Sequence, residues 1–576
     1  MKLYILILAA FLQLLPDIYA QTPDFEWVKS SGGSGTERIT TSAADSRGNI
    51  YVGGWFDSSG MEFGNDVSVG NYAESTGSRD AFIAKYSSAG EIIWALRIGE
   101  KGNDIITAIT TDREGNIYAC GNFNSTSMEC GSTVLKNSGN SDCFVTKIDS
   151  AGTFIWAQKA GGTQDDFASS VAVDGEGNVV IAGKYSEKIN FGDTISLVMS
   201  TYPGAMFFLA KYSSSGDVLW AKSAETTLGS DAIAVVADKP GNIYLSGSFL
   251  PKVIDFGEGI TLTNIYPNFN AFSTDIFLAK YDAGGKPLWA KRIAAEGADA
   301  PNAIGLDSNN NIVLCGHFVG PAINFDAFTV KVNYSGGRPN YFVAKYDNNG
   351  DPLWGRSAEG QENGDENAWG IATDFKNNVY VSGHFFSSTG GPVSFGDNIF
   401  LKLPPPSNSA TFIIKYDSLG KTLSGKCIPV YSRATLAVHG DEEIYLSGFF
   451  QGRAEFGNAG IFQNENNNSD VFTAKLKMGI TSVADQNADL TLKPALEILP
   501  NPSNGFVTVN YAVSAPGAIR ISLTDVLGRQ TLLKAETLDA GEHSAEINTA
   551  DFPAGIYVLT LEAEGQVFSQ KVVIER

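Results

Sequence analysis

The clearest feature of the sequence is a pattern of polar turns and apolar strands that recurs seven times. A turn, most often Asp-x-x-Gly-Asn, leads into an apolar and β-branched stretch, as in DREGNIYACGNF (112–123). Such turn residues accept backbone N–H groups or tolerate positive φ. The fourth residue of the phrase recurs every 62 to 69 residues, at Gly48, Gly115, Gly177, Gly241, Asn310, Asn377 and Glu442. This period predicts stacked copies of one supersecondary unit.

Each unit has four segments with strand character. An alternating stretch such as IITAITTD (105–112) precedes the turn, the apolar stretch follows it, and a third strand such as DAFIAKY (80–86) contains a lysine. A tryptophan of the fourth strand follows nine residues after each of the first five lysines, at Trp94, Trp156, Trp220, Trp289 and Trp354. The sixth unit has Ser424 at this position, and the seventh has no fourth strand after Lys475.

The N-terminal segment DFEWVKSSGG (24–33) has the sequence of a fourth strand with no unit before it. If the strand of Trp27 pairs with the seventh unit, no sheet edge is left unpaired at the junction of the two chain ends. The sequence therefore predicts an all-β fold in which residues 21–476 form a seven-bladed β-propeller closed by the N-terminal strand. An open solenoid of seven units is the alternative, and it would need capping units at both ends.

The last hundred residues do not follow the repeat. Residues 477–495 are polar and aperiodic, which predicts a linker. In residues 496–576, short alternating segments such as VTVNY and IYVLTLEA are separated by glycine-containing turns. This pattern predicts a small C-terminal β-sandwich.

Two parts of the chain resemble known families. The repeat over about residues 24–476, for example GGTQDDFASSVAVDGEGNVVIAGKY (161–185), is similar to the SBBP-type bacterial seven-bladed propeller repeat, which implies a fold and no shared reaction. The C-terminal segment resembles the C-terminal sorting domain of the type IX secretion system of Gram-negative bacteria. The residues that carry this second resemblance are Pro500, Asn501, Pro502, Gly505, Asp525, Gly528, Gly541, Gly555, Tyr557 and Lys571.

The sorting-domain resemblance implies that the type IX translocon is a partner and that the chain reaches the outer-membrane surface or the extracellular space. Residues 1–20, MKLYILILAAFLQLLPDIYA, predict a signal peptide cut after Ala20. No other stretch is long and apolar enough to predict a transmembrane segment. The resemblance leaves open whether the C-terminal domain is removed after export.

The net charge of the chain narrows the classes of molecule that it could bind. The chain has 41 Lys plus Arg against 63 Asp plus Glu, a net charge of -22, which argues against nucleic acid and anionic membranes as partners.

The five cysteines of the chain cannot all form disulfide bonds with one another, because their number is odd. Cys120 and Cys315 occupy a repeat position that takes small residues, whereas Cys130 and Cys143 could form a bridge within one unit.

Alignment of the units gives two rings of candidate residues. The first ring lies at the start of the first strand and is acidic in six units: Glu37, Asp104, Asp166, Asp231, Asp299 and Glu366. It predicts either an acidic rim around the channel that could hold Ca²⁺ or, as the favoured alternative, carboxylates that accept backbone N–H groups and fix the loops between blades. No other cofactor is predicted.

The second ring lies near the end of the second strand, where residue type varies while its neighbours do not. Its members are Trp55, Asn122, Lys184, Ser248, His317, His384 and Phe449. Variation on a fixed frame is typical of a recognition surface, although an unconstrained strand end would vary too. His317 and His384 could share a metal, but two solvated histidines are the simpler interpretation.

No motif for a nucleophilic triad, a phosphate-binding loop or a zinc protease occurs in the sequence. We therefore expect a secreted or surface-displayed, non-catalytic binding or adhesion module for a glycan, a protein or another surface component. Two alternatives stay open. One is a carbohydrate hydrolase or lyase that uses carboxylates at the channel rim, and the other is a structural surface-layer protein.

Overall fold

A computed structural model describes residues 24–72, 77–199, 204–226, 229–250, 253–264, 273–332, 338–358, 365–387, 391–403, 407–464, 468–478, 497–499, 502–503, 505–513, 517–525, 529–539, 541–563 and 566–575. The predicted signal peptide, most of the predicted linker, and Pro500, Asn501 and Gly528 lie outside the described residues. Two compact units divide the chain, one ending at Ile480 and the other starting at Thr481.

The described chain folds almost entirely into short antiparallel strands. In chain order they are β1 (Asp24–Gly33), β2 (Glu37–Ala44), β3 (Ile50–Phe56), β4 (Gly60–Gly64), β5 (Val67–Gly70), β6 (Asp80–Tyr86), β7 (Ile92–Ile98), β8 (Asp104–Thr111), β9 (Ile117–Phe123), β10 (Ser127–Cys130), β11 (Thr133–Lys136), β12 (Asp142–Ile148), β13 (Phe154–Gly161), β14 (Phe167–Val173), β15 (Val179–Tyr185), β16 (Lys188–Phe191), β17 (Ile195–Val198), β18 (Met206–Tyr212), β19 (Val218–Lys222), β20 (Glu225–Thr226), β21 (Ser230–Ala237), β22 (Ile243–Phe249), β23 (Val253–Asp255), β24 (Thr261–Thr263), β25 (Asp275–Tyr281), β26 (Pro287–Ile293), β27 (Ala300–Leu306), β28 (Ile312–Phe318), β29 (Ala322–Asn324), β30 (Thr329–Lys331), β31 (Asn340–Tyr346), β32 (Pro352–Arg356), β33 (Asp365–Thr373), β34 (Val379–Phe386), β35 (Val393–Ser394), β36 (Phe400–Leu401), β37 (Ser409–Tyr416), β38 (Thr422–Ile428), β39 (Thr435–His439), β40 (Glu443–Gln451), β41 (Arg453–Glu455), β42 (Ile461–Gln463), β43 (Ser469–Lys477), β44 (Glu497–Leu499), β45 (Phe506–Val513), β46 (Gly517–Asp525), β47 (Gln530–Leu538), β48 (Gly541–Asn548), β49 (Gly555–Ala563) and β50 (Gln566–Ile574). One 3₁₀ turn spans Gly457–Ala459.

The repeat units form successive sheets with the same strand order. We number these sheets along the chain: sheet 1 is β2-β3-β6-β7, sheet 2 is β8-β9-β12-β13, sheet 3 is β14-β15-β18-β19, sheet 4 is β21-β22-β25-β26, sheet 5 is β27-β28-β31-β32, sheet 6 is β33-β34-β37-β38 and sheet 7 is β39-β40-β43-β1. The first strand of every sheet contacts the first strand of the next, and β39 of sheet 7 contacts β2 of sheet 1.

Strand β1 occupies the fourth position of sheet 7, where the sequence predicts it. It runs antiparallel to β43, and Trp27 lies opposite Lys475. The hairpin β4–β5 of the first unit then pairs with β1 through Gly32 and Gly33. The hairpin β16–β17 of the third unit pairs with β13 of sheet 2 in the same way. The contacts of β1 therefore repeat those of a fourth strand inside the array.

Hydrophobic side chains from each pair of successive sheets form a common core. The core between sheets 1 and 2, for example, contains Ile83 and Ile117. An equivalent core joins sheets 7 and 1 and contains Tyr445, Val471 and Val52. Because burial of apolar surface is the main favourable term in folding, these cores hold the array together sheet by sheet.

The tryptophan of each fourth strand ties one sheet to the next. Its indole N–H donates to a backbone carbonyl in the turn between the third and fourth strands of the following unit. The Nε1···O distances are 3.3 Å for Trp94–Ser150, 3.0 Å for Trp156–Ser214, 3.2 Å for Trp220–Ala283, 3.3 Å for Trp289–Asn348, 3.1 Å for Trp354–Ser418 and 3.1 Å for Trp27–Ser88. A glycine of positive φ in the same turn lies against each indole, as Gly90 does against Trp27.

This arrangement explains why the sixth unit has Ser424 in place of tryptophan. Sheet 7 takes its fourth strand from β1, so it has no turn that joins its third strand to its fourth. An indole at position 424 would have no such turn to cover. Ser424 is instead fully buried within sheet 6.

The C-terminal unit consists of two sheets, β44-β45-β48 and β47-β46-β49-β50. Val507 and Tyr511 of the first sheet share one hydrophobic core with Ile521 and Leu559 of the second. Side chains that alternate along each strand supply this core, as the sequence pattern predicts.

Candidate functional site

Five members of the first ring are buried at the start of the first strands: Glu37, Asp104, Asp166, Asp299 and Glu366. Asp104 is typical, because its carboxylate accepts hydrogen bonds from the Glu100 amide at 3.0 Å and the Ser125 hydroxyl at 2.7 Å. The Asp166 carboxylate accepts a hydrogen bond from the Gly162 amide at 2.7 Å, and the Asp299 carboxylate accepts one from the Ala295 amide at 2.5 Å. Each of these three aspartates therefore ties the start of a first strand to neighbouring loops. Glu37 and Glu366 differ, because both carboxylate oxygens of Glu37 and Oε1 of Glu366 are buried with no hydrogen-bond partner among the described residues.

Burial raises the carboxyl pKa to about 7 at Glu37, about 6 at Asp104, about 7 at Asp166 and about 8 at Glu366. These five side chains are buried in the fold, and whether the ring is a rim for a cation or a set of carboxylates that fix the loops stays a prediction. Asp231 differs, since it is partly exposed and lies 3.3 Å from the Lys184 ammonium. Within the described part of the chain, no three His, Cys, Asp or Glu side chains are grouped to hold a metal ion. Ca²⁺ at this ring stays a prediction.

The second ring occupies equivalent positions in all seven sheets, since each member lies opposite the same position of the third strand, as Trp55 lies opposite Ala81. In sheets 2 and 3 these side chains bind their neighbours. Asn122 accepts a hydrogen bond from the Ala168 amide at 2.7 Å, and Lys184 pairs with Asp231. Ser248 of sheet 4 is half-buried.

In sheets 5, 6, 7 and 1 the members of the second ring are histidine or aromatic residues: His317, His384, Phe449 and Trp55. His384 is only 5% exposed and contacts Tyr431, whose ring centroid lies 4.8 Å away. Nδ1 of His384 accepts a hydrogen bond from the Trp369 indole N–H at 2.8 Å. Burial, with the positive charge of Arg433, lowers the pKa of His384 to about 4 and also lowers the pKa of His317. The interpretation of two solvated histidines is therefore wrong for His384, whereas His317 is partly buried.

Trp369 is a residue of this site that the sequence analysis missed. It is the extra residue of a β-bulge in the first strand of sheet 6, between Ala368 and Gly370. Other sheets have smaller residues in this bulge, such as Thr107, whose hydroxyl donates to the Ala168 carbonyl of the next sheet at 2.8 Å. A bulge re-aims its side chain, so a large residue here projects toward the second ring. A comparison of the bulge residues of the repeat units would have identified Trp369 from the sequence.

Guanidinium groups stack on aromatic rings across the same region. The Cζ-to-centroid distance is 4.5 Å for Arg433 over Trp369, 3.9 Å for Arg38 over Phe449 and 4.1 Å for Arg79 over Trp55. We call the surface formed by Trp369, His384, Tyr431, Arg433, Phe449, Arg38, Trp55 and Arg79 the aromatic arc. It crosses sheets 6, 7 and 1.

A cavity of about 800 Å³ lies at the other end of the first strands. Its lining includes the turn aspartates Asp45, Asp112 and Asp174 and the exposed ring of Phe375. These aspartates already have partners. Asp45, for example, accepts from the Asn49 amide at 3.0 Å and the Asn49 side chain at 2.7 Å. The cavity wall is therefore part of the repeat's turn structure, and the two rings lie at the opposite end.

All five cysteines, Cys120, Cys130, Cys143, Cys315 and Cys427, are buried free thiols. The bridge that Cys130 and Cys143 could form is not made. Burial raises the thiol pKa to about 12 at Cys120, Cys130 and Cys427. Because the thiolate is the reactive form, these side chains serve as packing groups.

The predicted sorting residues that the structure describes lie in turns, at strand ends or within strands. Gly541 and Gly555 begin β48 and β49. Asp525 pairs in register with Tyr557 and accepts from the Arg529 amide at 3.0 Å. The remaining three are Pro502, which is exposed, Gly505, which has φ of 107°, and Lys571, which lies opposite Val558.

A family model described as a secretion system C-terminal sorting domain matches residues 497–575. The chain carries a type IX sorting domain. A second family model, described as a β-propeller repeat, matches residues 93–127. Both predicted resemblances are thereby confirmed. The sorting domain directs export to the cell surface or the extracellular space and implies handling by the secretion system. Among the described residues, no helix is long and apolar enough to cross a membrane.

Curated relatives are distant. An uncharacterized WD repeat-containing protein of Acanthamoeba polyphaga mimivirus is 23% identical over 362 residues, which cover 53% of this chain and 26% of the viral protein. The regulatory protein FlaEY of Caulobacter vibrioides is 27% identical over 111 residues, which cover 19% of this chain and 12% of that protein. The chain therefore spans about a quarter and about an eighth of the lengths of these relatives.

Solved structures also show low similarity. A member of the DUF4221 family from Bacteroides vulgatus aligns with a TM-score of 0.29 at 11% identity, over 63% of this chain and 90% of that one. An ACO/RPE65 chimera aligns with a TM-score of 0.31 at 10% identity, over 71% of this chain and 97% of that one. These TM-scores are too low to establish a shared fold.

Proposed function

We propose that residues 21–476 form a closed seven-bladed β-propeller and residues 496–576 a β-sandwich. Three observations support closure of the propeller. The first strands contact one another in a cycle that includes β39 and β2. A hydrophobic core joins sheets 7 and 1. Trp27 makes the same indole bond to the first unit that Trp94 makes to the second.

We propose further that this propeller is a non-catalytic binding module outside the cell, and that the aromatic arc is its binding surface. The observation that carries this proposal is the departure of the arc from the repeat. A scaffold role keeps the same residue in every unit, whereas a site for one ligand breaks that symmetry. The bulge that holds Thr107 in sheet 2 holds Trp369 in sheet 6.

The state of the first ring supports a non-catalytic function. A general acid or base must come within hydrogen-bond distance of its substrate. The carboxylates of Asp104, Asp166 and Asp299 are buried and already accept hydrogen bonds from the chain. They are therefore more consistent with a structural role than with hydrolysis or elimination at a channel rim.

The test uses the full chain without its signal peptide, screened against arrays of glycans and of extracellular proteins. Trp369→Ala and Trp55→Ala should each abolish or strongly weaken the binding that the wild-type protein shows. Phe375→Ala is the matched control, because Phe375 is 76% exposed and lies beyond the other end of the strand that holds Trp369. Binding that survives both tryptophan changes in folded protein would remove the arc as the site. Turnover of a polysaccharide would contradict the non-catalytic function.

A further inference from the structure

The aromatic arc concentrates arginines that have no acidic partner. Arg38, Arg79 and Arg433 have no described carboxylate within ion-pair distance, although the chain has 63 Asp plus Glu. Some arginines outside the arc are paired, as Arg97 with Asp80 at 3.4 Å and Arg292 with Asp275 at 3.6 Å. Arg47, Arg113, Arg338, Arg356 and Arg520 also have no described ion pair, so the distinguishing feature of the arc is that three such arginines lie together over aromatic rings.

Each of the three guanidinium groups lies over an aromatic ring, and two of these contacts join neighbouring sheets. Arg433 of sheet 7 covers Trp369 of sheet 6, and Arg38 of sheet 1 covers Phe449 of sheet 7. A guanidinium that lies over a ring can still direct its N–H edge at a carboxylate, sulfate or phosphate group. Arg38 already uses Nη1 to donate to the Glu37 carbonyl at 2.9 Å, which leaves its other N–H groups for a ligand. Stacking also fixes the side chain before a ligand arrives, which reduces the entropy lost on binding.

The three charges lie close enough to act on one another. Burial lowers the pKa of Arg38, the carboxylates of Glu37 and Asp57 oppose this effect, and the positive charges of Arg79 and Arg433 lower the pKa by smaller amounts. Glu37 is itself buried, and burial raises its carboxyl pKa to about 7. A bound anion would remove the repulsion between the three arginines. The rest of the protein surface is acidic, so it attracts a polyanion only weakly from a distance. Binding would therefore depend on short-range contacts with the three arginines.

We infer that the aromatic arc binds an acidic polysaccharide through anionic groups on its sugar rings. This inference rests on the proposed binding function. The anionic group is a carboxylate or a sulfate ester, because both are oxyanions that match a guanidinium edge. Tyr431 is 47% exposed beside His384 and offers an apolar ring face to the sugar. A polymer with one charge on each sugar would present its anions in series to Arg433, next to β39 of sheet 7, and to Arg38 and Arg79, in β2 and next to β6 of sheet 1.

The experiment measures binding of the full chain without its signal peptide by isothermal titration calorimetry. The probes are a polyuronate, a sulfated galactan, neutral dextran and poly-glutamate. We expect binding to the polyuronate or to the sulfated galactan, and these two arms identify the anionic group. Dextran should not bind, and poly-glutamate should bind at least about tenfold more weakly, since it has no sugar ring for Tyr431.

Arg433→Gln and Arg79→Gln should each weaken binding of the acidic polysaccharide about tenfold to a hundredfold, the range for loss of a charged hydrogen-bonding group. Both side chains are exposed, so the variants should keep the melting temperature of the wild type. Arg433→Lys should bind the acidic polysaccharide little better than Arg433→Gln does, because an ammonium group cannot donate two parallel hydrogen bonds to one anion. Arg453→Gln is the matched control, since Arg453 is exposed but pairs with Glu455.

The outcomes separate this inference from the proposed function. Binding of a neutral glycan or a protein that is lost in Trp369→Ala, but unchanged in both arginine variants, would overturn the acidic-polysaccharide inference and keep the binding module. Tighter binding of poly-glutamate than of either acidic polysaccharide would identify an acidic peptide as the ligand and overturn the inference. No binding to any array member would overturn both.

Discussion

Gly90 lies so close to Trp27 that a Cβ built on the glycine would come 2.6 Å from Cδ2 of the indole. The glycine belongs to the first unit, whereas Trp27 is on the strand that completes sheet 7. The contact therefore reports directly on the junction between the two ends of the array.

Gly90→Ala should lower the melting temperature of the protein. Gly90 has φ of 83°, which costs an L-residue about 1–2 kcal/mol, and the new methyl group would also displace the indole. Gly64→Ala is the matched control, because Gly64 has φ of 86° and nothing within 4 Å of its Cβ position. Thermal denaturation should show a larger loss for Gly90→Ala, and equal losses would show that the indole contact is not required.

Trp27→Ala should destabilise the first repeat unit by about 3 kcal/mol, as expected for a packed aromatic side chain. It removes the indole bond to Ser88 and the ring contact with Tyr445. Trp220→Ala, the same change inside the array, provides the comparison. Hydrogen exchange of β4–β7 should increase in Trp27→Ala, whereas unchanged exchange would contradict a role for this residue in closure.

Glu366→Gln should change how stability depends on pH. Burial and the neighbouring Asp365 raise the pKa of Glu366 from 4.5 to about 8. The folded state thus binds a proton more tightly than the unfolded state between pH 4.5 and about 8, so this residue makes the protein less stable as pH rises through that window. The penalty at high pH is on the order of 5 kcal/mol. Melting curves at pH 5 and pH 8.5 should show a smaller loss of stability in Glu366→Gln, and identical losses would contradict the raised pKa.

Protonation of His384 should disrupt the Trp369 hydrogen bond. Nδ1 of His384 accepts from the indole, so the imidazolium cannot form this bond. Burial lowers the pKa of His384 from 6.5 to about 4, and the folded state therefore loses stability from this residue as pH falls from 6.5 toward 4. The fluorescence difference between wild type and Trp369→Phe should change near pH 4. A change centred near pH 6.5 would show that the imidazole is solvated.

Removal of calcium should leave the melting temperature unchanged. The first-ring carboxylates of Asp104, Asp166 and Asp299 already bind amide and hydroxyl groups of the chain. A ligand that binds only the folded protein would raise its stability. A melting temperature that rises with added Ca²⁺ and falls with a chelator would therefore establish the acidic ring as a metal site.

The repeat made much of the fold predictable. The seven turn phrases and the nine-residue spacing from lysine to tryptophan fix the strands, and the tryptophan of DFEWVKSSGG marks the segment that pairs beside Lys475. The sequence could not show why Ser424 replaces tryptophan, because the reason is a turn that sheet 7 lacks. This information lies in the pairing of two distant segments and not in the sixth unit.

The site was less predictable, because its residues come from different strands of different units. Alignment identified Trp55, His384 and Phe449 as variable positions but gave no means of knowing what each one contacts. Trp369 lies at a bulge outside the two rings, Arg433 lies before the first strand of sheet 7, and only the fold brings them beside His384. The burial of Glu37 and Glu366 was also hidden, since a charged residue beside a loop normally indicates an exposed one.

The pairing of β1 with β43 also has a consequence for biosynthesis. Phe25 and Asn458, which exchange hydrogen bonds next to this pairing, are separated by 433 positions in the chain. A ribosome makes β1 first, yet its partner emerges only when translation of the last repeat is complete. Such non-local pairing slows folding, so the nascent protein must hold an unpaired edge strand for most of its synthesis.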